Sequence, residues 1–215
     1  MREVDNGMKR VYVHGLGQTP FSWEKTISNL DSKEQSICPN LAGMLKGKEV
    51  NYKNLYKTFS NLCDEIDGSL DVCGLSLGGV IALNYAIDHP DKINSLVLIA
   101  TQYKMLKRLL QFQNMLFRLM PKSMFEEMGF EKSEFIQLCK TMMELDFSNS
   151  IQKVDCPVLV VYGEKDSANK KASVELADIL ENAELQVVCG SGHEVNLDAP
   201  EKLTELLRNF YTRVS

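Results

Sequence analysis

Short apolar runs alternate with longer stretches of helical spacing from residue 11 to residue 211. Residues 11–14 read as a strand and 21–30 as a helix, then 35–38 as a weak strand and 52–66 as a second helix. The run at 70–73 feeds a helix that ends before His89 and Pro90. Residues 95–100 are continuously apolar, as expected of a strand covered on both faces. The segments 157–162, 172–180, 185–189 and 200–211 complete a strand, helix, strand, helix finish. Such alternation predicts an α/β fold built on a mostly parallel sheet with helices on both faces. No internal repeat, linker or low-complexity segment interrupts it, so residues 1–215 read as one domain.

Between about residues 101 and 149 the alternation stops. Two helices are predicted there, 103–120 and 134–145, separated by Pro121 and Gly129. Seven of the ten methionines fall in this segment: Met105, Met115, Met120, Met124, Met128, Met142 and Met143. In the second helix Phe135, Leu138, Cys139 and Met142 form one apolar stripe. In the first, Leu106, Leu109 and Leu110 and then Phe112, Met115 and Leu119 spread over more than one face. Such a helix needs two burial surfaces, the core and a second one that is a substrate pocket, a partner or a lipid surface. Its basic residues Lys104, Lys107, Arg108, Arg118 and Lys122 read as a solvated face, with membrane-surface contact a minor alternative.

Composition narrows the class. A chain of 215 residues with 44% hydrophobic and 25% charged residues is an ordinary globular domain. A net charge of −5 argues against nucleic-acid binding. Six cysteines without a CxxC spacing read as reduced structural thiols, with Cys73, Cys156 and Cys189 in or beside apolar runs. The polar N-terminal residues and the lack of a membrane-length apolar stretch make the expected location cytoplasmic.

The chemistry centres on Gly74-Leu75-Ser76-Leu77-Gly78-Gly79, between an apolar run and a helix. A serine flanked by glycines at this spacing is the pattern of a nucleophile elbow. Its tip is strained, and only glycines let strand and helix approach so closely. A hydroxyl needs a base near neutral pH, and the base needs a third group to fix its tautomer. Of three histidines, His193 follows a late strand through Gly190-Ser191-Gly192. His89 closes a helix before Pro90, and His14 is expected to pack or hydrogen-bond behind the loop that begins at Gly15. Asp166 closes the turn after strand 157–162, with Glu164 and Asp198 as nearby alternatives.

Ser76, Asp166 and His193 stand in the chain order of an α/β-hydrolase triad. Together with Val11-Tyr12-Val13-His14-Gly15-Leu16-Gly17 and the terminal run from Gly192 to Glu201, they resemble the α/β-hydrolase superfamily in its single-domain esterase-like branch. The resemblance implies Ser76 as nucleophile, His193 as base and Asp166 as its orienting acid. It favours Asp166 further, because the other position at which relatives carry the acid is Ala100-Thr101-Gln102 here, with no carboxylate. It also implies an oxyanion hole from the backbone N–H groups of Leu16 and Leu77, no cofactor and no metal. Segment 101–149 falls where the family inserts a helical cap after its sixth strand. The family's opening hairpin has almost no room before Arg10, which trims the expected sheet to roughly six strands. The implied reaction is hydrolysis of a small carboxylic ester or thioester with an apolar acyl or aromatic part. Serine at the elbow argues against relatives with an aspartate nucleophile, such as haloalkane dehalogenases and epoxide hydrolases. C–C hydrolase, acyltransferase or lyase-like chemistry stays open, as does a low-turnover ligand-binding role on the same fold.

Overall fold

The computed structural model describes residues 9–30, 35–105 and 107–214, with the backbone alone at residues 108, 109, 112 and 113. The side chains of Leu106, Arg108, Leu109 and Phe112, used above to define helix faces, lie outside the described residues, as does the polar run at 1–8.

The chain begins with β1 (Lys9–Val13), a short 3-10 turn and α1 (Glu24–Ser28), then β2 (Gln35–Ile37), α2 (Leu41–Met44) and α3 (Tyr52–Asp64). The middle consists of β3 (Leu70–Leu75), α4 (Leu77–Asp88) and β4 (Ile93–Ile99). Three consecutive helices follow, α5 (Lys107–Leu119), α6 (Ser123–Glu126) and α7 (Lys132–Met142). The chain closes with β5 (Val158–Gly163), α8 (Ser167–Ile179), β6 (Ala183–Val188), α9 (Val195–Asp198) and α10 (Pro200–Val214).

Six described strands form one sheet in the order β2-β1-β3-β4-β5-β6, and every pairing is parallel. The described sheet therefore has the roughly six strands that the sequence predicts. Each parallel neighbour needs a crossover, and the crossovers supply the helices that cover both faces. Side chains of the central strands alternate between two cores with the period of a pleated strand. Val11, Val72, Leu96 and Val160 join a core with α3, α4, α8 and the three inserted helices. Tyr12, Cys73, Val97 and Val161 join a second core beneath α1 and α10. Burying a Val or Leu side chain there is worth about 1.5–3 kcal/mol, which explains why the strands read as largely apolar runs. The strand order reverses between β1 and β3, and the carboxyl ends of those strands open the crevice where α/β sheets bind ligands.

Two local expectations are corrected. Residues 103–105 do not start the long helix; Met105 N–H donates to Leu145 O at 3.0 Å and Phe147 N–H to Tyr103 O at 2.9 Å. These bonds draw the two ends of the insertion together, and Lys104 also pairs with Asp146 at 3.0 Å. Cys189 is exposed, because it lies just past the edge strand β6 and outside the core. Among the described residues no helix is long and apolar enough to cross a membrane.

Candidate active site

Four loops at the carboxyl edge of the sheet bring the predicted residues together. The first follows β1. Gln18 N–H donates to Gly15 O at 3.2 Å, closing a turn in which Gly17 takes φ +86°. That left-handed value suits the third position of a type II turn and favours glycine. The amide of Leu16, at the second position, is not used in closing the turn. His14 holds this loop from behind: its Nδ1 donates to Gly15 O at 2.9 Å, and its Nε2 accepts from Leu41 N at 3.2 Å. Burial lowers the His14 pKa, so the ring sits there as a neutral, fully paired group.

The second loop is the elbow between β3 and α4. Ser76 has φ 54°, a left-handed value for a residue with a Cβ. The strain is held in place because Ser76 N–H donates to Ile99 O at 2.8 Å and Ser76 O accepts from Val80 N at 3.0 Å. A Cβ on Gly78 would run into Val13 O, and one on Gly74 into Gly78 O. The flanking glycines are therefore a steric requirement of the turn. Leu77 is the first residue of α4, where the N–H has no acceptor within the helix and adds to the positive end of its dipole.

Asp166 lies in the third loop, after β5, and is the N-cap of α8. Its carboxylate accepts from Asn169 N at 3.3 Å, from Asn169 Nδ2 at 2.9 Å to each oxygen, and from His193 Nδ1 at 2.8 Å. Burial raises the Asp166 pKa, but the His193 and Asn169 hydrogen bonds outweigh it and leave the carboxyl below its ordinary value. The fourth loop, after β6, carries His193. The two alternative acids are committed to shaping this loop: Glu164 accepts from Gly190 N at 2.8 Å and Asp198 from Gly192 N at 2.7 Å. His89 lies at the end of α4 with its Nε2 3.3 Å from Ser60 Oγ, outside this cluster.

Ser76, Asp166 and His193 line one cavity of about 630 Å³, with Leu16 and Leu77 also in its wall. His193 makes its hydrogen bonds through Nδ1, which leaves Nε2 unengaged among the described residues. Ser76 Oγ and the imidazole share the cavity without a hydrogen bond between them. Apart from Gln102 and Asn169, the rest of the described wall is apolar and comes largely from the inserted segment, including Met105, Leu110, Phe117, Met128 and Met142. Phe117 and Phe135 pack edge to face at 5.0 Å and anchor α5 to α7. Leu116 faces the cavity, whereas Leu119 on the same helix is 80% exposed. Only part of the broad apolar surface of α5 is therefore buried. Cys139 also borders the cavity, and burial pushes its thiol up to about 12, so it is an inert part of the wall.

Three polar residues of the site carried no sequence expectation. Gln18 ties the first loop to the fourth across a separation of 176–178 residues, Asn169 joins the third to the fourth, and Gln102, just after β4, bonds Asn169. A local pattern could have flagged only Asn169, as a polar residue in the first turn of a helix capped by Asp166.

A parallel sheet with a strained serine elbow and a late His–Asp pair defines the class. The chain belongs to the alpha/beta hydrolase family, whose model matches residues 11–206. A pimeloyl-(acyl-carrier protein) methyl ester esterase of Neisseria meningitidis serogroup B is 23% identical over 249 residues, covering 97% of this chain and 95% of that one. The alignment is longer than this chain, so that relative carries residues this one lacks. An enzyme of the same name from Aromatoleum aromaticum is 35% identical over 91 residues, 42% of this chain and 36% of its own. Among solved structures, a carboxylesterase of the thaumarchaeon Nitrososphaera gargenis aligns with a TM-score of 0.85 at 20% identity, covering 98% of this chain and 92% of that one. MenH from S. aureus aligns with a TM-score of 0.81 at 15% identity, covering 99% and 96%. At these identities the solved structures establish the shared fold.

Proposed function

We propose that this protein is a serine hydrolase that cleaves a small carboxylic ester or thioester bearing an apolar acyl or aromatic group. Ser76 attacks the carbonyl carbon while His193 Nε2 takes its proton. The amides of Leu16 and Leu77 hold the resulting oxyanion. Return of the proton to the leaving oxygen or sulfur releases an alcohol or thiol and leaves an acyl-serine. Water, activated by the same imidazole, then hydrolyses it. Asp166 accepts the Nδ1 proton as a hydrogen bond and stabilises the imidazolium without itself becoming protonated. Residues 101–149 act as the cap, with α5 and α7 forming its apolar wall.

One observation carries this reading: His193 Nδ1 lies 2.8 Å from Asp166 Oδ2, in a cavity that also contains the strained Ser76. The Ser76–His193 hydrogen bond forms as substrate fills the cavity, since catalytic bonds commonly tighten on binding. Asp166 and His193 are the only acidic and basic side chains in the described wall, and neither is a free cation for a substrate carboxylate, so an uncharged acyl group is preferred. Burying a carboxylate there without a cation costs several kcal/mol. The esterase names of the Neisseria and Aromatoleum relatives support an ester as the scissile bond.

A fluorophosphonate probe combined with a panel of p-nitrophenyl esters, methyl esters and acyl thioesters tests the reading. Wild type is expected to label once, at Ser76, and to turn over apolar acyl esters faster than ω-carboxylated ones. Labelling that survives in Ser76→Ala, or that is missing from wild type, refutes the nucleophile. Labelling without turnover of any ester or thioester favours a binding protein on this fold.

A further inference from the structure

Among the described residues, Asn169 is the one side chain with hydrogen-bond contacts to both the acid and the imidazole. Its Nδ2 lies 2.9 Å from each Asp166 carboxylate oxygen and 3.1 Å from His193 Nδ1. Its Oδ1 accepts from Gln102 Nε2 at 2.8 Å, and the same Gln102 nitrogen lies 3.5 Å from Ala168 O. Because Gln102 Nε2 must donate to both carbonyl oxygens, the Asn169 amide cannot turn over without facing Asp166 with a second oxygen. Gln102 follows β4, the position at which the family resemblance offers an alternative acid. Here that position carries an amide whose hydrogen bonds run back to Asp166 through Asn169.

An imidazole Nδ1 beside these two partners has two options. With a proton on Nδ1 it donates to Asp166, and Nε2 keeps the lone pair that can take a proton from Ser76. With Nδ1 bare it accepts from Asn169 instead, and Nε2–H is useless as a base. Holding Asp166 by both oxygens, with its Oδ2 at 2.8 Å from Nδ1, favours the first arrangement.

We propose that Asn169, oriented by Gln102, is a positioning residue of the hydrolytic site, fixing the Asp166 carboxylate and thereby the reactive tautomer of His193. The inference rests on the hydrolase reading above and adds two residues to it. The other titratable and charged groups nearby in the chain are Glu164 and Lys165 on the β5 turn, Lys170 on α8, and Glu194 and Asp198 on the His193 loop. The inserted helices contribute only the Cys139 thiol to the described wall.

Asn169→Ala keeps the helix cap, because the capping bond to Asp166 is made by the backbone N–H of residue 169. It is expected to lower kcat about 10-fold with KM nearly unchanged. Gln102→Leu should act in the same direction by a smaller factor. Asn169→Asp sets a second carboxylate beside the imidazole at a helix start that tolerates acids. It is expected to move the acid limb of the kcat/KM profile to higher pH by about 1 unit. Spectra of isotope-labelled histidine report the His193 tautomer whatever Ser76 does, and only three histidines contribute signals. The Nδ1–H form should dominate in wild type and lose population in Asn169→Ala. An unchanged tautomer and profile in the two Asn169 variants, or a rise in KM at constant kcat in Asn169→Ala, overturns the proposal. Loss of probe labelling at Ser76 would instead strike the hydrolase reading and leave the tautomer result standing.

Discussion

Gln18 offers the sharpest test of how the site is held together. Its side chain is 5% exposed and uses both ends of its amide. Oε1 accepts from Gly15 N at 3.2 Å and Asn196 Nδ2 at 3.1 Å, while Nε2 donates to Asn196 Oδ1 at 3.1 Å and Glu194 Oε1 at 3.0 Å. The residue thus ties the loop after β1 to the loop carrying His193. Replacing it with leucine keeps the bulk and strands three buried groups: Gly15 N–H, Asn196 Oδ1 and one Asn196 N–H. Asn196 Nδ2 retains Ser22 O at 3.2 Å, and Glu194 is exposed and rehydrates. Each buried orphan costs about 1–3 kcal/mol, and the added apolar burial returns about 1–2 kcal/mol. The expected net loss is about 3–5 kcal/mol, a large share of a domain stability of about 5–15 kcal/mol. Urea unfolding should show a lower midpoint at unchanged slope, with Tm reduced by roughly 10 °C. Gln18→Glu keeps the two acceptor contacts but turns its second oxygen on Glu194 and Asn196 Oδ1. Its penalty should shrink as pH falls and the carboxylates protonate. A loss below about 1 kcal/mol in Gln18→Leu, with full activity, would show that the network is not buried as described.

Three further outcomes follow from the same geometry. Ser76→Gly should abolish probe labelling yet raise stability by about 1 kcal/mol in thermal unfolding, because φ 54° costs glycine nothing; an unchanged or lower Tm argues against stored strain. The lowered Asp166 pKa means that the unfolded chain takes up the proton first as pH falls, so this contribution to stability is present above about pH 4 and lost below it. Asp166→Asn should flatten that part of the stability–pH curve, and a slope identical to wild type refutes the assignment. Cys139→Phe fills part of the cavity wall and should shift ester preference toward shorter acyl groups, read as kcat/KM across a chain-length series; an unshifted series would mean that the acyl group lies elsewhere.

The sheet was legible because its central strands are buried on both faces and carry short apolar runs at 72–75 and 96–99, with Asp71, Asn94 and Ser95 confined to their first halves. The elbow was legible because its requirement is local: glycine at 74 and 78 answers to contacts within a few residues and the adjoining strand. Residues 103–105 were not, since an apolar pattern of helical spacing says nothing about a pairing with residues 145–147. The helix α2 was missed because four residues carry too little periodicity, although Asn40 caps it by accepting from Gly43 N at 2.9 Å. Gln18 had no sequence signal, because apart from Gly15 its side-chain partners lie at the far end of the chain. The outward surface of α5 was misleading for another reason: Met115 and Leu119 satisfy an apolar pattern while remaining 53% and 80% exposed.

Most polar groups around the cavity also hold structure. Asp166 caps α8, Glu164 and Asp198 fix the His193 loop, and His14 supports the loop that presents Leu16. Removing any of them disturbs backbone as well as chemistry, so lost activity alone cannot assign a chemical role. Ser76 and Asn169 differ. Among the described residues the Ser76 hydroxyl holds nothing in place, and the Asn169 amide acts beyond the backbone bond that caps the helix. Substitutions there separate catalysis from folding: activity should collapse at Ser76 and fall at Asn169 while the unfolding midpoint holds or rises. The same changes at Gln18 or His14 should move both together, because those side chains satisfy buried backbone groups that water cannot reach.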